Sequence, residues 1–164
     1  MSPAFRDFAH LAKRFTTSLL AQPLTDGEQS WVASQLLDGE QALWQHLSVA
    51  DQRHAYEVAR RVIAKVDADA TRPVIAAALL HDIGKIDSGL GTFGRSAATV
   101  LANAGIITDR VRRYREHNKI GREMLKAAGS DPFTSTWAYE HELPASRWTV
   151  DRQLAEALHE ADDD

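Results

Sequence analysis

Apolar residues recur at intervals of three and four along almost the whole chain, and no run alternates with period two. That pattern restricts the chain to an all-α fold. Helices are expected over about 3–20, 26–37, 40–47, 48–66, 72–83, 95–103, 109–115, 117–128, 132–141 and 150–162. Several starts carry a cap: Ser48 with Asp51 three residues on, Thr71 ahead of Pro73, and Asp131 directly before Pro132. Gly84, Gly105 and Gly129 follow periodic segments, where a left-handed terminating residue is expected. At 164 residues the chain suits one compact unit. Residues 1–47 read as an N-terminal helical extension, too short for a robust core alone, and residues 48–164 as the main helical domain.

Composition narrows the chemistry. With 44% apolar and 26% charged residues, the chain has enough apolar material to fold. It has no cysteine, so any metal must be held by histidine, carboxylate or water. The opening MSPAFRDFAHLAKRF is interrupted by charge and lacks a signal-peptide core, and no stretch approaches the roughly 20 apolar residues of a membrane helix. A cytoplasmic protein is expected. A net charge of −4 argues against general nucleic-acid binding. Residues 110–126, RVRRYREHNKIGREMLK, nevertheless hold seven Lys and Arg against two Glu, which reads either as a solvated helix face or as an attractor for an anionic substrate. Trp31 and Trp44 read as packing residues, with a homodimer or partner surface as the alternative.

The stretch ALLHDIGKIDSGLGTFGR, residues 78–95, offers both a histidine-aspartate doublet and a dinucleotide-type glycine pattern. The glycine pattern works only where a strand precedes it and a helix follows. Here PVIAAALLHDIGK precedes it, rich in alanine and leucine and suited to helix, and no βαβ unit surrounds it. Gly89, Gly91 and Gly94 therefore read as a loop, with Arg95 available for a phosphate.

Four of the seven histidines continue core-facing stripes. His54 precedes Val58 and Val62, His117 precedes Ile120 and Met124, His141 follows Phe133 and Trp137, and His81 follows an apolar run. Burying four imidazoles without partners is costly, and convergence on metal would satisfy all of them. His10, His46 and His159 lack such support and read as surface residues. Asp82 adds a carboxylate beside His81. Helical neighbours diverge by about 100°, so the pair is expected to bridge two ions through Asp82 rather than chelate one.

The order of His54, the His81-Asp82 doublet within LLHDIGK, His117, His141 and a late aspartate resembles the HD-domain superfamily of metal-dependent phosphohydrolases. The resemblance covers about residues 50–162, two thirds of the chain. It implies an HD-like helical bundle in which His54, His81, Asp82, His117 and His141 bind metal. The last ligand matches Asp162 in Ala161-Asp162, beside the Leu154 and Leu158 stripe, while Asp151 borders that stripe with an ordinary explanation at a helix N-terminus. The six-ligand, dinuclear pattern is also similar to bacterial HD hydrolases that split dinucleoside tetraphosphates. Glu142-Leu143-Pro144 follows His141 in place of a Gly-Tyr-Pro signature, which disfavours the cyclic-di-GMP phosphodiesterase branch.

Imidazole and carboxylate donors suit Fe, Mn, Zn or Co. Two such ions would lower the pKa of a shared water, so hydrolysis of a phosphoester or phosphoanhydride by metal-bridged hydroxide is the leading expectation. The substrate is expected to be a small phosphorylated molecule, a nucleotide by preference. Asp82 and Lys85 are the expected catalytic residues, and Lys85, Arg95, Arg115 and Arg122 the expected substrate-binding cations. Lys85 has a second reading, as a cation at a helix C-terminus. A diiron oxygenase on the same fold and a regulatory module without turnover are the alternatives.

Overall fold

The computed structural model describes residues 21–88 and 116–163. Among them seven α-helices occur and no strand: α1 (Asp26–Gln35), α2 (Asp38–Trp44), α3 (Val49–Val66), α4 (Arg72–Leu80), α5 (His117–Ala127), α6 (Pro132–Glu140) and α7 (Arg152–Asp163). Short 3-10 segments span Asp67–Asp69, Ile83–Ser88 and Ala145–Arg147. The all-α expectation therefore holds. The helices expected at 3–20, 95–103 and 109–115, the Gly89–Gly94 loop, Gly105, His10, Arg95 and Arg115 lie outside the described residues.

Local sequence explains most boundaries. Ser48 Oγ accepts from the Asp51 N–H at 3.2 Å, and an Asp131 carboxylate oxygen from the Phe133 N–H at 2.8 Å, so both donors at these helix starts are satisfied. Thr71 stands at the start of α4 without a side-chain hydrogen bond, and the fixed φ of Pro73 supports that first turn instead. Gly129 has φ +77°, as expected after α5. Gly84 does not take a left-handed φ; it is needed for space. A Cβ there would overlap the His117 carbonyl and crowd Gly121 N, so the 3-10 segment after α4 runs directly against the first turn of α5.

α4 is the axis of the molecule. Every residue from Val74 to Leu80 is buried, and complete burial contributes about 2 kcal/mol for each of Leu79 and Leu80. α3 packs on one side of it and α6 on another, α7 covers α3, and α5 covers α6 and the Ile83–Ser88 segment. The end of α4 that carries His81 is thus enclosed by four other elements.

Part of the N-terminal extension joins the same core. Leu24, Val32, Leu36, Trp44 and Leu47 pack in one cluster with Val58, Val62, Leu79, Trp137 and Leu158. Arg53 on α3 donates to Glu28 at 2.9 and 3.0 Å and to the Gln22 and Pro23 carbonyls at 3.2 and 2.9 Å. Buried Glu40 on α2 accepts from Arg72 at 3.1 Å and from the Leu37 N–H at 2.8 Å. Trp44 is buried and Trp31 stands edge-on to Tyr56 at 5.5 Å, so both act in packing. Among the described residues, no helix is long and apolar enough to cross a membrane.

Candidate metal centre

Helical spacing on α3 puts His54 one turn before buried Val58 and two before Val62. α5 presents His117 in its first turn, on a stripe with buried Gly121 and Leu125; the expected partners Ile120 and Met124 are only half-buried, because the face that meets the Ile83–Ser88 segment is one position round. α4 and α6 deliver their histidines differently. Expected to run to 83 and 141, they end at Leu80 and Glu140, and His81 and His141 are the residues immediately after. Each ring points back: Nδ1 of His81 donates to the Ala78 carbonyl at 2.9 Å, and Nδ1 of His141 to the Ala138 carbonyl at 3.1 Å. That bond fixes the tautomer and leaves Nε2 as a lone-pair donor.

His81 keeps helical dihedrals, φ −54° and ψ −37°, so the two side chains of the doublet leave the backbone in different directions and only their ends come together. Asp82 Oδ2 lies 3.5 Å from His81 Nε2, while Oδ1 faces His117 Nε2 and His141 Nε2, each also at 3.5 Å. Asp162 on α7 reaches across the core, with Oδ1 2.8 Å from His54 Nε2 and 3.6 Å from His81 Nε2. The rings of His54 and His81, His81 and His141, and His117 and His141 follow one another at 5.8, 5.3 and 5.9 Å between centroids. The six expected side chains thus form one cluster. They separate into two sets, His54, His81, Asp162 and Asp82, His117, His141, with the ligand atoms of each set within 4.8 Å of one another.

The scan of protein families matches the HD domain over residues 52–162. The chain belongs to the HD-domain family. All six cluster residues fall inside the matched segment of this HD domain. No curated protein and no solved structure matches the chain.

The donor set of the HD domain fits a divalent transition ion. His81 Nε2 and Asp82 Oδ1 are buried and make no hydrogen bond, since their neighbours stand at 3.5 Å or more. Buried polar atoms left in this way are costly, and a cation in each ligand set would satisfy them. Protonation supplies positive charge without one. Burial alone would lower the His81 pKa, but the carboxylates of Asp82 and Asp162 reverse that and raise it to about 10. Burial opposes ionisation of Asp82 and Asp162 too, yet Lys85, His81, His117 and His141 hold Asp82 well below the carboxylate range, and His81 and His54 hold Asp162 there.

Lys85, in the 3-10 segment, pairs through Nζ with Asp82 Oδ2 and is mostly buried. It is not on the last turn of α4, so its charge acts on the doublet rather than on that helix end. Arg122 lies over the Tyr139 ring at 5.2 Å, about 140° round α5 from His117. Asp151 is exposed and accepts from the Leu154 N–H at 3.0 Å, the ordinary role of a carboxylate at a helix start.

Two residues escaped the sequence reading. His159, read as surface, is partly exposed but lines a cavity of about 10 Å³ beside His81, His141, Trp137 and Asp162, room for about one water. Buried Ala155 lies one turn before it, but alanine is too weak a burial signal to have marked that face in the sequence. Glu142 lies 3.6 Å from His117 Nε2. It follows His141 directly, but only the turn after α6 brings it round. His46 is exposed, as expected.

Proposed function

We propose that this HD domain is a metal-dependent phosphohydrolase with a dinuclear centre, acting on a phosphoester or phosphoanhydride of a small nucleotide. The observation that carries the reading is the division of six buried or half-buried side chains into two three-ligand sets joined by one carboxylate. His54, His81 and Asp162 would hold one ion, His117 and His141 the other, and Asp82 both through its two oxygens. Ions of the Fe, Mn, Zn or Co type, when bound there, supply a hydroxide near neutral pH and neutralise phosphate oxygens as charge develops.

The protein's own groups do the rest. The Nδ1 bonds of His81 and His141 keep both rings aimed inward, and Lys85 fixes the Asp82 carboxylate against rotation. Lys85 also places a point charge at the edge of the cluster, where a phosphate would arrive. Arg122 on α5 is the planar cation of the same proposal, already stacked on Tyr139 and so partly immobilised. Arg95 and Arg115 belong to the same substrate-binding proposal. Similarity to dinucleoside-tetraphosphate hydrolases makes such nucleotides the first compounds to try.

Full-length protein purified without a metal-affinity tag should contain close to two transition ions per chain and release phosphate or nucleoside phosphate from a nucleotide panel without consuming oxygen. Oxygen consumption on a phosphonate or polyol, with iron bound, would replace the hydrolase by an oxygenase. Tight nucleotide binding with no turnover under any metal would replace it by a regulatory module.

A further inference from the structure

The two ligand sets are unequal in charge. Asp162 faces His54 and His81, whereas the Asp82 carboxylate that faces His117 and His141 is also approached by His81. Glu142 stands on the poorer side. Its Oε1 is 3.6 Å from His117 Nε2, the same nitrogen that faces Asp82 Oδ1, and its Oε2 accepts from Asn118 Nδ2 at 3.3 Å. The residues that follow the two histidines of this set, Asn118 after His117 and Glu142 after His141, are therefore bonded to each other. One Glu142 oxygen is occupied by that amide and the other is left turned toward the histidine. With His141 held back to Ala138, the next residue is carried to the open side of the cluster, and Glu142 is about half exposed there.

Resting on the dinuclear reading above, we propose that Glu142 is a further carboxylate donor for the ion held by Asp82, His117 and His141. Without metal its neighbour is the His117 ring. An ion bound to His117 Nε2 would lie beside the Glu142 oxygen that now stands 3.6 Å from that nitrogen. Glu142 would bring this side level with the Asp162 side in charge. It would make the second ion tighter and leave the first nearly unaffected, because Asp162 and His54 lie on the far side of Asp82.

The test is titration of metal-free, full-length protein with Mn²⁺, followed by calorimetry and by electron paramagnetic resonance of the bound ions. Wild type should take up two ions. E142Q should keep the first affinity and lose about tenfold or more on the second, the size of effect expected when a carboxylate of a metal site is removed. E142D should fall between them, and N118A should show a smaller loss of the same sign. Circular dichroism of the half-exposed E142Q variant should match wild type. Two ions bound to E142Q with unchanged affinities would overturn the inference while leaving the dinuclear reading intact. So would a variant in which only the metal-free melting temperature moves, since that is the signature of a simple ion pair with His117. A wild-type protein with a single Mn²⁺ site would remove the dinuclear reading and this inference together.

Discussion

Asp162 and Asp151 border the same apolar stripe of α7, and their surroundings differ in kind. Asp162 meets two imidazoles across the core, while Asp151 meets a backbone N–H in water. Asp162→Asn should therefore lose metal affinity and activity, and Asp151→Asn should keep both at a stability cost of about 1 kcal/mol or less. Metal content and melting temperature measured side by side check this, and the reverse pattern would reject the assignment. Asp82→Ala should abolish metal retention with helical circular dichroism preserved, because both ligand sets depend on that one side chain; normal turnover of the variant with added divalent metal would refute the bridging role. At this scale the sequence was informative where a histidine or aspartate continued an apolar stripe or stood in the doublet. It was silent on Glu142, which depends on how the chain turns after α6, and on the cavity beside His159, which depends on how separate helices pack.

At the scale of elements, the ends of α4 and α6 matter more than their lengths. Periodicity located both helices, but the last turn of an apolar run does not announce whether the following histidine is in the helix or just beyond it. Both histidines keep helical dihedrals as caps, so what the boundary changes is the path of the residues after them, the Ile83–Ser88 segment and Glu142. The contact of the Ile83–Ser88 segment with α5 has a direct consequence. Gly84→Ala would press a methyl group against the His117 carbonyl and Gly121, pushing α5 away from α4. Overpacking of this kind costs about 1–3 kcal/mol. It should also widen the distance from Asp82 to His117, so the second ion should be weakened more than the first. Thermal unfolding and a two-site metal titration on the same sample test the two parts. A variant that is destabilised but binds both ions normally would show that the segment and α5 move together.

For the molecule as a whole, the cluster makes stability depend on pH and metal together. The folded protein raises the His81 pKa to about 10 against an ordinary 6.5, so it holds that proton more tightly than the unfolded chain does. This contribution is complete below pH 6.5 and drains away as pH rises to about 10. Asp82 and Asp162 are depressed, so their contribution is present above the ordinary 3.8 and is lost as pH falls. Chelator-stripped protein should accordingly melt at lower temperature at pH 9 than at pH 7. Metal must displace the His81 proton, so affinity should rise by up to roughly tenfold per pH unit over the same interval. A melting temperature of stripped protein that is flat from pH 6.5 to 9 would contradict the coupling.

The bond between His54 and Asp162 joins positions 108 residues apart. In a chain without cysteine, an ion at that junction would do what a disulfide does in a secreted protein, tying an early helix to the last one and closing nearly the whole domain into a loop. Unlike a disulfide it could be removed at constant redox potential. Stripping the ion would free α7 first, so the C-terminal helix would become the earliest point of attack for a protease, and adding metal back would seal it again.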